Sequence, residues 1–236
     1  MSVTTTLGRA VGSIAGVAGL AAVAYAACVG MSWYRYGHPA PPDREEADPL
    51  LDEFMPKFDI AERHHVRVAA SPEVTLSAAA ETDLRQSMVI RAIFRARELV
   101  LGAEPGRLTR EKRLLAEMTL LGWGRLAERP GREIVMGAKV RPWTADVVFE
   151  ALPPGKFKAF GKPGYVKIAW TLRADPAGPS ESIFRTETRV MTTDAEARRQ
   201  FRWYWARFSP GIVLIRRVLL GQVKREAERR EQLAER

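Results

Sequence analysis

The chain of 236 residues holds one cysteine, Cys28, and so cannot close an intramolecular disulfide; its redox compartment stays open. Histidine is scarce as well. His64 and His65 are adjacent within a strand-like stretch and point to opposite sides, while His38 lies in a proline-rich linker, so no metal site and no cofactor are expected. There is no Gly-x-Ser-x-Gly elbow, no phosphate-binding loop and no Cys–His pair. Gly122-Trp-Gly-Arg-Leu-Ala127 mimics a dinucleotide fingerprint, but it follows a helical pattern and opens a strand. That is the reverse of what pyrophosphate binding needs. The formal charge of +9 raises nucleic acid, anionic membrane or an acidic protein as partners. Nucleic-acid binding calls for basic stripes with interleaved aromatics or a helix-turn-helix pattern. Neither is evident, since basic residues mostly alternate with glutamates, as in Arg185-Thr-Glu187-Thr-Arg189 and Lys224-Arg-Glu226-Ala-Glu228. No nucleic-acid partner is expected.

Charge is also missing from Ala10 to Tyr34. The run is about as long as the ~20 residues a helix needs to cross hydrocarbon. Trp33, Tyr34 and Tyr36 with Arg35 stand at one end as interfacial anchors would. Residues 10–34 are therefore expected to be a single-pass membrane anchor. Glycines in the run, such as Gly12 and Gly16, would permit close helix pairing. A cleaved signal peptide is the competing reading, because Arg9 and Ala24-Tyr-Ala26 supply a basic start and a small-residue site; Tyr25-Ala-Ala-Cys28 also approaches a lipoprotein cleavage pattern. The apolar run continues past both points. Flanking arginines Arg9, Arg35 and Arg44 weigh slightly towards a cytoplasmic domain.

Residues 37–61 are expected to be a tether and lead-in: Gly37 to Pro49, rich in proline and charge, predicts an extended run, and Leu50, Leu51, Phe54, Met55 and Phe58 after it are apolar enough to pack on the domain's flank. The folded domain is expected over 62–236. His65 to Ala70 reads as a strand, and Ser71-Pro-Glu73 as a helix start leading to about Ala80. Helical spacing runs from Asp83 to Leu101 and, after a cap at Thr109, to Leu121, with Gly102 and Gly122 as terminators. Strands follow at Trp123 to Glu128, Glu133 to Ala138, Ala145 to Ala151, Tyr165 to Arg173 and Ser180 to Met191. Turn residues separate them, notably Arg129-Pro-Gly-Arg132 and Pro153-Pro-Gly155. From Phe201 the period changes from strand to helix, with Ser209-Pro-Gly211 expected to interrupt or kink it and a charged tail beyond Val223.

An antiparallel sheet is the only partner large enough for that last helix, and a sheet curved around it leaves an apolar hollow. On the sheet, Val166, Ile168, Trp170 and Leu172 share one face, as do Phe184, Thr186, Thr188 and Val190. Phe201, Tyr204, Trp205, Phe208 and Ile212 would cover them from the helix. These residues are expected to line a ligand site, or else simply to fill a core. Thr186 and Thr188 are the sharper signal, because hydroxyls on an apolar face need partners. Glu187, between Arg185 and Arg189 on the opposite face, is expected to make surface ion pairs of little worth.

The element order, together with Val66-Arg-Val-Ala-Ala-Ser-Pro-Glu73, Phe184-Arg-Thr-Glu-Thr-Arg-Val190, Phe201-Arg-Trp-Tyr-Trp205 and Ile215-Arg-Arg217, resembles the helix-grip superfamily of START lipid-transfer domains, pollen-allergen-like proteins and polyketide cyclases, called SRPBCC. The resemblance spans roughly Glu62 to Glu228, and the extra helix between Thr109 and Leu121 departs from it. It implies an α+β helix-grip fold and a cavity for a lipid or another hydrophobic small molecule. The superfamily has no universal catalytic motif to carry over. Three functions stay open: a membrane-tethered hydrophobic-ligand module; a cyclase- or aromatase-like enzyme using Asp146, Glu150, Glu187, Tyr204 or the threonines; and a cavity-less structural or partner-binding domain. No oligomeric state follows from the sequence.

Overall fold

The computed structural model describes residues 3–38, 42–83, 87–88, 90–93, 95, 113–144 and 147–234, with side chains for 19–35 and from 37 onward. Its elements are α1 (Val3–Tyr36), α2 (Pro49–Asp52), β1 (Ile60–Val68), α3 (Pro72–Glu81), α4 (Leu114–Leu120), β2 (Gly124–Arg129), β3 (Glu133–Val140), α5 (Pro154–Ala159), β4 (Val166–Gly178), β5 (Glu181–Thr192) and α6 (Ala195–Ala234). The five strands form one antiparallel sheet in the order β1-β5-β4-β3-β2. Four strands follow one another as a meander, and β1 closes the far edge against β5. This α+β architecture, a five-stranded antiparallel sheet with a long C-terminal helix, fits the helix-grip arrangement.

Alternation along the strands sorts side chains between two layers. On the α6 side, one cluster joins Val68, Met136, Trp170, Leu172 and Phe184 to Leu76 of α3 and to Leu219, Leu220, Val223 and Ala227 of α6. A second joins Ile60, Val140, Val166 and Val190 to Phe201, Trp205 and Val213 of α6. The opposite face carries Leu126, Val135 and Ala169, covered by Leu50, Leu51, Phe54 and Met55 of the lead-in and by Phe157 of α5. Gly137 is required there, because a Cβ would press into Leu126 and lie 3.0 Å from Phe157 Cε2.

The lead-in docks on the sheet, as its apolar residues Leu50, Leu51, Phe54 and Met55 predict, and the end of the proline-rich stretch before it, expected to run free as a tether, is bonded down with it as one strap. Asp48 caps α2 by accepting the Leu51 amide at 2.8 Å. Arg173 donates to the carbonyls of Ala47 and Glu45 at 2.7 and 3.0 Å. Arg189 donates to Asp52 and to the Met55 carbonyl, at 2.5 and 2.8 Å. Composition alone hides this, since backbone carbonyls of any segment can satisfy a buried arginine.

Several expectations need correction. No helix among the described residues is long and apolar enough to cross a membrane, so the span over 10–34 is not borne out. A helix, α1, does form there. This helix lies along α6: the Tyr25 hydroxyl donates to the Arg207 carbonyl, and Trp33 joins the second cluster with the Arg202 guanidinium 5.6 Å from its ring.

β1 starts at Ile60, earlier than expected, because its pairing with β5 reaches Val190. The strand expected at Ala145 to Ala151 shrinks to a single Lys139–Glu150 bridge, with 145–146 outside the described residues. Pro153-Pro-Gly155 opens a short helix, α5, where only a turn is expected. Of the helix expected over Asp83 to Leu101, residues 90–93 are helical; much of the rest, with Thr109, lies outside the described residues. Helix α4 begins at Leu114 and ends, as expected, at Gly122, whose φ of 97° suits glycine. Finally, α6 runs unbroken through Pro210. Trp205 and Val213 pack the turns on either side, and Gly211 lets Ile93 approach: a Cβ there would sit 2.9 Å from its methyl group.

Candidate functional site

The inner face of the sheet is apolar at both ends and polar in the middle. Register makes this explicit: Ile60 pairs with Val190, Glu62 with Thr188, His64 with Thr186 and Val66 with Phe184. Going along β1 and β5 together, an apolar pair is followed by two polar pairs and another apolar pair. Helix α6 repeats the order, with Val213 in one cluster, Leu219 and Leu220 in the other, and Arg216 between. Three elements distant in sequence therefore bring Glu62, His64, Thr186, Thr188 and Arg216 to one level.

Within this band, Arg216 Nη2 donates to Thr188 Oγ1 at 2.8 Å, and its guanidinium carbon lies 5.8 Å from the Trp170 ring centroid. Burial pulls the guanidinium below its ordinary pKa, and attraction to Glu62 opposes that pull. Glu62 is 2% exposed and its Oε1 lies 2.8 Å from His64 Nε2. Its other oxygen, Oε2, and Thr186 Oγ1 are buried without a hydrogen-bond partner among the described residues. A buried polar atom left without a partner costs about 1–3 kcal/mol. A carboxylate–imidazole pair facing an arginine can hold the polar end of a ligand, and it can also move a proton while the arginine stabilises developing negative charge.

The expected lining residues all face this side, but they divide. Trp170, Leu172 and Phe184 pack in one cluster; Val166, Val190, Phe201 and Trp205 in the other; Ile168 touches both. Thr186 and Thr188 sit in the polar middle. Half-buried Tyr204 joins the second cluster, and half-buried Phe208 lies against it, with ring centroids 4.9 Å apart. Ile212 also joins the second cluster.

Neither carboxylate proposed from the sequence and described here belongs to the band. Glu150 is exposed and bonded to Lys139 at 2.7 Å. Glu187 faces the lead-in, and its ion pairs are not surface pairs: it is 5% exposed, bound to Arg189 at 2.7 Å and Arg63 at 3.1 Å, while Arg189 is 1% exposed. The strap buries them. Asp146 lies outside the described residues. Beside this network, a small cleft of about 20 Å³ is lined by His64 and Thr186 together with Glu46, Asp48, Arg63, Arg173 and Arg185 among others; Arg173 and Arg185 are both paired with Asp175. Glu62, His64 and Arg216 were the residues that sequence reasoning missed. Two signals were available: Glu62 and His64 alternate on the face that meets Thr188 and Thr186, and Arg216 interrupts the apolar stripe of α6.

No family model matches the chain, and no curated protein matches it in sequence. Among solved structures, a Chromobacterium violaceum protein is 13% identical, covering 71% of this chain and 96% of its own, with a TM-score of 0.29. The Zhui aromatase/cyclase from Streptomyces sp. R1128 is 17% identical over 72% of this chain and 94% of its own, with a TM-score of 0.24. Norcoclaurine synthase from Thalictrum flavum is 11% identical over 66% and 86%, also with a TM-score of 0.24. At TM-scores this low the likenesses carry no argument, and the architecture rests on strand order and the last helix.

Proposed function

We propose that this is a helix-grip binding module for a largely apolar small molecule or lipid, held by its polar end between Arg216, Glu62, His64, Thr186 and Thr188. The observation that carries the reading is the pair of buried oxygens without a hydrogen-bond partner among the described residues, Glu62 Oε2 and Thr186 Oγ1, in a polar band with apolar clusters on either side. Such groups add little to stability, since well-packed apolar residues in place of buried ions are often neutral or stabilising. A ligand that completes their hydrogen bonds accounts for them. The apolar clusters on either side, with Trp170, Leu172 and Phe184 at one end and Val166, Val190, Phe201 and Trp205 at the other, are the surfaces its body would displace or extend along.

The test is solvent extraction and mass spectrometry of the purified full chain, with anilinonaphthalene sulfonate as a binding probe. Co-purifying apolar compounds, and probe binding weakened at least tenfold by Arg216→Leu, are expected. A chain that carries nothing and binds no probe refutes the reading and leaves the filled-core structural domain. A second reading, an enzyme of cyclase or aromatase kind, is favoured by the 2.8 Å contact of Glu62 with His64. Turnover of a bound compound abolished by His64→Gln, with binding retained, distinguishes it from carriage alone. Attachment to a membrane through residues 10–34 is a further part of the proposal, supported by the uncharged run from Ala10 to Tyr34; the side chains of 10–18 that a full span needs lie outside the described ones. Alkaline extraction of cell membranes tests this, and release of the chain into the wash refutes an integral anchor.

A further inference from the structure

Between Ala197 and Lys224 the chain has no acidic residue, while six arginines fall in the same stretch: Arg198, Arg199, Arg202, Arg207, Arg216 and Arg217. This part of α6 therefore departs from the Arg/Glu interleaving seen elsewhere. Arg216 turns inward. Positions 199, 203, 207, 214 and 217 follow the three-or-four spacing of one helical face, opposite the buried Phe201, Trp205 and Leu219. All five are exposed, Trp203 by 66% and Leu214 by 43%. Arg199 is paired with Glu196 at the helix start, whereas Arg207 and Arg217 make no ion pair among the described residues.

Alongside runs α1, fixed by Tyr25 and Trp33, with Leu20, Val23, Met31 and Tyr34 between 67% and 79% exposed. Two neighbouring helices thus carry exposed aliphatic and aromatic side chains, and one of them, α6, also carries exposed arginines.

We propose that α1 and the outward face of α6 together form a contact surface for an anionic lipid bilayer. Aliphatic and aromatic groups enter the acyl and headgroup boundary, and arginines at the same level meet lipid phosphates. Nucleic acid would satisfy the arginines but offers nothing to Leu20, Val23 and Met31. A second copy would satisfy the apolar groups but would set arginines against arginines. Only a negatively charged bilayer answers both. The surface requires neither a full membrane span nor a ligand in the interior, so it goes beyond the function proposed above.

The experiment uses the full chain with Cys28→Ser and a single cysteine introduced by Trp203→Cys, or by Leu214→Cys as a second position, carrying an environment-sensitive nitrobenzoxadiazole label. Phosphatidylcholine vesicles with and without phosphatidylglycerol are compared. With phosphatidylglycerol, the emission is expected to move to the blue and to be quenched by nitroxide lipids. Salt should weaken the effect, and Arg207→Gln with Arg217→Gln should lower binding several-fold. A label at exposed Lys156 on α5 should stay water-like throughout. A label at 203 and 214 that stays water-like on vesicles overturns the proposal, even where α1 holds the chain there. So does a response indifferent to phosphatidylglycerol, a shift without lipid that grows with protein concentration, or an equal shift with single-stranded DNA at the same salt.

Discussion

Raising the pH should loosen the strap from the outer face of the sheet, through one pair of carboxyl groups. Glu133 of β3 and Asp48 of the lead-in are each 2% exposed. Burial first, and then a hydrogen bond and repulsion from Asp48, push the Glu133 carboxyl from its ordinary 4.5 up to about 8, against the pull of Arg173 and Arg129. Its proton is what allows two buried carboxyls to touch. Because this folded pKa lies above the unfolded one, the stabilising contribution is whole below about pH 4.5 and gone above about pH 8. One proton corresponds to roughly 1.4 kcal/mol per pH unit, giving a ceiling of about 5 kcal/mol across that window. The partly solvated side towards Arg129 screens the pair, so the observed change should be about 2–3 kcal/mol. Urea unfolding followed between pH 5 and pH 9 measures it, and hydrogen exchange of residues 48–55 should accelerate over the same range. Glu133→Gln, which keeps a donor without titrating, should flatten the slope. An identical slope in wild type and variant would refute the assignment, as would stability rising between pH 5 and pH 8.

Arg189→Met removes a guanidinium that binds Glu187, Asp52 and the Met55 carbonyl and lies 4.7 Å from the Phe58 ring. It leaves Glu187 buried, so a loss of about 3–5 kcal/mol is expected in the denaturant midpoint; a loss under about 1 kcal/mol would mean the strap contributes little. Thr186→Val replaces an unpartnered buried hydroxyl by a methyl group and should leave stability unchanged or raise it by about 1 kcal/mol, while weakening binding of anilinonaphthalene sulfonate. Equal binding by the variant would remove Thr186 from the site. Pro210→Ala restores a helix amide in α6 and should raise the melting temperature, by up to about 3 kcal/mol of stability. An unchanged or lowered melting temperature would show that a proline suits that turn.

Local order was legible in the residues themselves. Two-residue alternation placed Val166, Trp170 and Leu172 on one face of β4 and Phe184 to Val190 on β5, and the three-to-four spacing of Phe201, Trp205 and Leu219 marked the stripe of α6 that is buried. Gly122 ended its helix and Gly131, with a φ of 70°, turned its hairpin, because few other residues enter that backbone region. The two inward hydroxyls, Thr186 and Thr188, also stood out against an apolar face. Periodicity states which side chains share a face; it says nothing of what stands opposite.

That second question was decided by pairings far apart in the chain. Glu62 and His64 meet Thr188 and Thr186 because β1 joins the sheet at the edge beside β5, and Arg216 arrives from α6. Glu187 and Arg189 look like surface charges until the lead-in covers them, after which burial changes the worth of the same ion pair several-fold. Pro210 reads as a break until packing on both sides carries the helix through it. Charge, alternation and propensity are properties of a segment. Dielectric environment and hydrogen-bond partners are properties of the assembled layers, so the apolar face came from the sequence and the polar band across it from the tertiary fold.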